Sequence, residues 1–147
     1  EINRSVNFIK GIDHEIKLHI NYCKKWKISF RSLNNIKIDK ANSAYTDHVL
    51  GVGKNGNNLD IFTSLSPCII GYGEIGFKLS KIKSWKKSKY SSWIKMYSSK
   101  EYQQIAKDNI NYLDILFKNN KDKKLNTLKR NFKKSTILER NFWESFV

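Results

Sequence analysis

Proline is almost missing from this chain: Pro67 stands alone among 147 residues, beside seven glycines and two cysteines. So few turn formers argue against an all-β protein, which needs many tight reversals. Two thiols far apart, Cys23 and Cys68, make neither a disulfide framework nor a zinc-site spacing. They fit a reducing, cytoplasmic compartment. No apolar run approaches the roughly 18 residues that argue for a membrane helix. Arginine is scarce too, four against 24 lysines, although the guanidinium fork is what base and phosphate readout favours.

What remains is enough to fold. Hydrophobic residues make up 39% and aromatic residues 13% of a 17.3 kDa chain, which fits one domain with a core. The formal charge is +15, from 28 basic and 13 acidic residues. Asparagine is abundant as well, 16 in all, in pairs such as Asn34-Asn35 and Asn119-Asn120. A joint bias to Lys, Asn and Ile fits AT-rich coding better than selection for a polyanion. The chain opens at "EINRSVNFIKGIDHE" without an initiator methionine or a clear cap, and reads as a cut into a longer protein.

Apolar spacing predicts an all-α bundle. Phe8, Ile12, Ile16, Ile20, Cys23 and Trp26 fall at steps of three and four, predicting a helix over 7–26. "KISFRSLNNIKIDKANS" reads as a polar connection, with Asn42 or Ser43 as the cap of a helix from about Ala44. The glycines Gly51, Gly53 and Gly56 end that helix. In "NLDIFTSLSPCIIGYGEIGFKLSKI", Phe62, Leu65, Ile69, Tyr72, Ile75 and Leu79 repeat as a helix, with Pro67 either kinking it or opening a second one. A basic, serine-rich loop follows, then helices over 91–97, 99–117 and 125–147. Tyr102, Ile105, Ala106, Ile110, Leu113, Leu116 and Phe117 form the apolar set of the middle one. "KNNKDKK" is a solvated turn.

Two places could carry chemistry. If a helix opens at Ser66-Pro67, Cys68 sits in its first turn, where exposed amides lower a thiol's pKa. If the helix only kinks, Pro67 still frees a backbone carbonyl and opens the groove locally. Tyr72 is one turn on and shares the face. The bland alternative is a small buried cysteine. "ERNFWES" sets Glu139, Phe142 and Trp143 at i, i+3 and i+4, a carboxylate against two rings, where a raised pKa suits a general acid or base. The alternative there is a surface glutamate beside core aromatics. Tyr45, Tyr97 and Tyr102 offer rings with polar tips, useful for a flat heteroaromatic ligand. "HEIKLH" holds its histidines five apart, not the four of a zinc-binding helix, so no metal is expected. "GVGKNG" lacks the Lys-Ser/Thr and the preceding strand of a phosphate loop, and reads as a helix end.

In order and spacing, "AYTDHVL", "LSPCIIGYGEIG", "YSSWIKMYSSKEYQ" and "LERNFWES" resemble the TenA / thiaminase II family of thiamin-salvage enzymes. The Pro-Cys-x-x-x-Tyr and Glu-x-x-Phe-Trp elements are the specific parts, and the likeness runs from about residue 10 to 146. It implies a haem-oxygenase-like all-α bundle that assembles as a homotetramer and uses no haem or other cofactor. The implied reaction is hydrolysis of 4-amino-5-aminomethyl-2-methylpyrimidine to the hydroxymethylpyrimidine and ammonia, with slower cleavage of thiamin. It casts Cys68 as nucleophile and Glu139 as acid/base, with Tyr45, Tyr72, Tyr97 and Phe142 lining the pyrimidine site.

The family also carries an early helix with a pyrimidine-binding aspartate. Asp13, Asp39 and Asp47 do not match its position, so 1–147 reads as a single domain without its N-terminal third. Two alternatives follow: a catalytically inactive relative that binds a pyrimidine or serves as a scaffold, and a basic nucleic-acid-binding module. The second rests on charge alone, so nucleic acid is disfavoured as a partner, and no membrane partner is expected.

Overall fold

The computed structural model describes residues 2–120 and 124–146, without the side chains of 2–5, 7, 8 and 30. All regular structure among them is helical: α1 (Ile2–Lys25), α2 (Phe30–Asn34), α3 (Lys40–Asn55), α4 (Asn58–Leu79), α5 (Ser91–Tyr97), α6 (Lys100–Asn119) and α7 (Leu125–Glu144). The expected all-α bundle is what forms. The backbone divides into two compact units between Ile38 and Asp39.

The first unit holds α1 and α2. α1 ends where Ile28 N–H donates to the Cys23 carbonyl at 2.9 Å, with Lys27 in the left-handed region at φ 58°. That closure satisfies a terminal carbonyl, and glycine is its usual residue. The stretch expected as a plain polar connection contains α2, because Ser29 caps it: its hydroxyl accepts from Ser32 N–H at 3.1 Å. Ser32 returns a hydroxyl contact at 2.7 Å.

The second unit is built around α4, which packs against α3, α5, α6 and α7. α3 begins at Lys40, four residues ahead of expectation. Asp39 rather than Asn42 or Ser43 is its cap, accepting from Ala41 N–H at 2.8 Å. Gly51 and Gly53 lie inside α3, and the chain leaves the helix only at Gly56. Asn57 then opens α4 with a capping box, accepting from Leu59 and Asp60 N–H while Asp60 accepts from Asn57 N–H at 3.0 Å. α3 and α4 are therefore joined by just Gly56 and Asn57, a short connection of the kind that sets helices side by side.

α4 runs unbroken through Pro67. Of the two courses that Pro67 left open, the single helix is the one that forms, so Cys68 lies mid-helix and has no first-turn amides beside it. Proline deprives the Thr63 carbonyl of its amide partner. Thr63, Ser64 and Ser66 donate to the carbonyls of Leu59, Ile61 and Phe62 at 2.6–2.8 Å, and such back-bonding goes with a bent helix. The Ser66 hydroxyl also meets the buried Asn109 side chain at 2.9 Å, tying the turn to α6. The same face is packed: Leu59, Thr63, Ser64, Ser66, Pro67, Gly73 and Gly76 are all buried.

The buried face of α4 is thus made of small residues, while Ile75 from the expected apolar repeat is exposed. Ile105 and Ile110 of α6 are exposed as well, and Ala106, Asn109 and Tyr112 face inward. The basic serine-rich loop after α4 contains a single 3-10 turn, Trp85–Lys87. Of the "KNNKDKK" turn, residues 121–123 lie outside the described residues.

Candidate active site

Four side chains from three helices meet in the second unit. Cys68 and Tyr72 share a face of α4, Tyr45 comes from α3, and Glu139 from the C-terminal half of α7. All four are half-buried. Tyr72 Oη donates to Glu139 Oε2 at 3.3 Å. The Cys68 thiol is within hydrogen-bonding reach of the same carboxylate, and it is not disulfide-bonded. The Tyr45 hydroxyl is enclosed close to Glu139 but outside good hydrogen-bond geometry.

Burial pushes the Glu139 carboxyl above the usual carboxylate range; the Cys68, Tyr72 and Tyr45 side chains pull the other way and do not cancel it. Burial also raises the Tyr45 phenol, aided by the negative charge that Cys68, Glu139 and Tyr72 can carry. Tyr45 therefore stays protonated across the working pH range. A carboxyl with raised proton affinity beside a thiol is what a proton exchange between them needs.

Aromatic rings wall the cluster. Around the Tyr72 ring stand Tyr97 at 5.3 Å, Trp143 at 5.6 Å and Trp93 at 5.9 Å between centroids. Trp93 also meets Tyr97 at 4.5 Å and Trp143 at 5.7 Å. Tyr97 is fully enclosed, so it supports Tyr72 from behind. Phe142 turns toward Phe146 at 5.2 Å and Trp143 at 6.5 Å; Trp143 is the ring of that pair lying against Tyr72.

Two contributors escaped the sequence reading. Gln103 on α6 donates both amide protons, to the Gly73 and Tyr97 carbonyls, each at 2.9 Å. It clamps α5 to α4 and so fixes Tyr97 against Tyr72. Trp93 is the other; its i, i+4 spacing to Tyr97 was the available signal. A Cβ at Gly73 would meet Tyr102 and Gln103 at 3.4 Å. That side of α4 is taken by α6, whereas Gly71 has nothing within 4 Å. Tyr102 donates to the Ile69 carbonyl at 3.3 Å and packs edge-on against Tyr97 at 4.6 Å.

Two surface hollows lie away from this cluster. One, of about 380 Å³, is lined by Leu79, Ile82, Trp85 and Ile94, the other, of about 290 Å³, by Asn57, Asp60, Asn120 and Lys124 among others. Neither brings a nucleophile to an acid/base pair, so chemistry rather than hollow size marks the site. Among the described residues no three His, Cys, Asp or Glu side chains gather as a metal site would require. His14 and His19 are both exposed on α1.

Residues 3–147 match the TENA/THI-4/PQQC family. The chain belongs to that family. It is 34% identical to an aminopyrimidine aminohydrolase of Halalkalibacterium halodurans over 131 residues, 88% of this chain and 58% of the relative. It is 31% identical to an aminopyrimidine aminohydrolase of Helicobacter pylori, over 90% of this chain and 62% of the relative. A crystal structure of a TenA family transcription regulator from a Silicibacter species superposes with a TM-score of 0.84 at 31% identity. That match covers 91% of this chain and 61% of the other. The chain therefore spans about three-fifths of the length of these relatives. No described helix is long and apolar enough to cross a membrane.

Proposed function

We propose that this chain carries the catalytic residues of an aminopyrimidine aminohydrolase of thiamin salvage, with Cys68 as nucleophile and Glu139 as its acid/base partner. The observation that carries the reading is the meeting of the Cys68 thiol and the Tyr72 hydroxyl on one half-buried Glu139 carboxylate. Family membership and relatives named for this activity support it.

The chemistry proceeds in balanced steps. Glu139 takes the Cys68 proton, and the thiolate adds to the pyrimidine ring of 4-amino-5-aminomethyl-2-methylpyrimidine while a ring nitrogen is protonated. The electron-rich ring expels the side-chain amine, which leaves as ammonia after taking up a proton. Water adds to the exposed methylene, its proton returns to the site, and the ring releases the thiolate. The sum is amine plus water to alcohol plus ammonia, and thiamin is cleaved by the same route with its thiazole as leaving group. A carboxyl positioned and tuned for both transfers contributes roughly 10²–10⁴-fold. No cofactor takes part.

Tyr45 and Tyr72 face the substrate and Tyr97 backs Tyr72, while the resemblance adds Phe142 to the pyrimidine site. Assembly into a homotetramer in the cytoplasm completes the reading. Ammonia release from the aminomethyl aminopyrimidine is the test. The protein should release ammonia, and a folded Cys68→Ser variant should fall at least 10²-fold, as general magnitudes for a lost nucleophile require. A folded, fully active serine variant would remove the thiol from the mechanism. Pyrimidine binding without turnover in the unmodified protein would favour an inactive binding relative.

A further inference from the structure

Along the contact between α3 and α7, three enclosed polar atoms lack a well-formed hydrogen bond: Tyr45 Oη, which lies close to the Glu139 carboxylate, His48 Nε2, whose ring lies close to the Asn131 backbone, and Ser135 Oγ. Their placement is ordered. Asn131, Ser135 and Glu139 follow one another at steps of four on α7 and so share one face. Tyr45 and His48 are three apart on α3. Tyr45 lies near Glu139, while His48 lies near the Asn131 backbone and Lys134. Those two contacts bracket Ser135, whose exposure is 0%.

Ser135 breaks the habit of its neighbours. A helical serine or threonine commonly gives its proton to the carbonyl four residues back, as Thr136 does to Phe132 at 2.9 Å. For Ser135 that carbonyl belongs to Asn131, whose backbone interacts with His48. A polar group left without a partner in the interior is destabilising. Native interiors meet such a demand with ordered water holding two to four polar contacts.

We propose that the α3–α7 seam binds internal water held by His48 Nε2, Ser135 Oγ and Tyr45 Oη, and that this water is a proton route to the Glu139 carboxyl. The serine hydroxyl both donates and accepts, so it can pass a proton along the file. Burial, with Lys134 alongside, keeps His48 neutral against the pull of the Asn131 backbone, and a neutral ring offers one donor and one acceptor. Glu139 is faced by Tyr45 from α3 and by Cys68 and Tyr72 from α4. Ser135 and His48 touch none of the reacting atoms and are positioning residues. The proton route rests on the acid/base role proposed for Glu139; the water site stands without it.

A crystal structure of the unmodified protein, at a resolution that orders solvent, reads the first half. Water within hydrogen-bond distance of Ser135 Oγ and His48 Nε2 is expected, and a dry seam overturns the proposal. The second half is read without substrate, by carbon-13 NMR titration of the Glu139 carboxyl, assigned through Glu139→Gln. In Ser135→Ala and His48→Phe the charged carboxylate loses solvation, so its midpoint should rise by about half a pH unit or more, a threefold change in proton affinity. Ser135→Gly leaves space for one more water and should return the midpoint toward the unmodified value. Unchanged midpoints in folded Ser135→Ala and His48→Phe overturn the route even if water is present. Because no turnover is measured, a failed ammonia assay would leave this result readable.

Discussion

A carboxylate is costly to keep charged when aromatic rings surround it and water reaches only part of it. Glu139 is in that position, and its raised proton affinity ties stability to pH. Its folded pKa lies above the ordinary 4.5, so its stabilising protonation is fully present below that value and lost as pH rises through the folded one. Glu139→Gln replaces the carboxyl with a neutral group of the same shape. The variant should melt at a higher temperature than the unmodified protein at pH 8, and the gap should close as pH falls toward 4. Calorimetry across that range checks the sign. An equal or lower melting temperature at pH 8 would mean that the contacts to Cys68 and Tyr72 outweigh the burial.

At the scale of elements, the site depends on how closely α5 approaches α4. A Cβ on Gly76 would stand 2.6 Å from the Tyr97 Cβ and 2.9 Å from its carbonyl carbon, contacts no side-chain rotation can relieve. Gly76→Ala gains up to about 1 kcal/mol of helix propensity against about 1–3 kcal/mol of overpacking. The urea midpoint should fall. The end of α1 runs the other way: exposed Lys27 holds a left-handed φ of 58° at about 1 kcal/mol of strain that glycine avoids. Lys27→Gly should slow amide exchange at the last turn of α1, whereas faster exchange would mean that lysine's side chain stabilises the closure.

Much of this arrangement was legible beforehand, and the gaps have physical causes. Helices α5, α6 and α7 followed from apolar spacing because each keeps a polar and an apolar side. Pro67 left two courses open because whether proline breaks a helix depends on what its neighbours bury, and here Ser66 is buried against Asn109 of α6. Likewise Asp39, not Asn42, caps α3: several side chains could cap, and the first one in place lengthens the helix. In the site, Cys68, Tyr72 and Glu139 were readable from spacing and resemblance together. Gln103 was not, since its two acceptors lie on other elements and only packing brings them to one amide.

For the molecule as a whole, charge is the dominant long-range fact. Twenty-eight basic residues oppose 13 acidic ones, and the ion pairs described, Lys17–Asp13, Lys78–Glu74 and Arg140–Glu144, are exposed pairs one turn apart. Such pairs are worth little, while a net +15 repels itself. Raising salt from about 0.05 to 0.5 M shortens the screening length severalfold and should raise the melting temperature by a few degrees. A fall would show that local pairs matter more than net repulsion. Polyanion binding should be loose and vanish near physiological salt, in contrast to the steep, persistent dependence of a true nucleic-acid binder.

The unbroken course of α4 has a consequence for how the chain can change length over evolutionary time. Cys68, Tyr72 and Gly76 stand one above another at steps of four, and each added residue turns a helix by about 100°. One insertion between Cys68 and Tyr72 would swing the thiol away from the phenol and the glycine from its neighbour, though the helix itself would survive. Related chains that keep the chemistry should therefore hold this nine-residue interval gap-free. Insertions and deletions should collect in the segments after Leu79 and Asn119, where no such phase has to be kept.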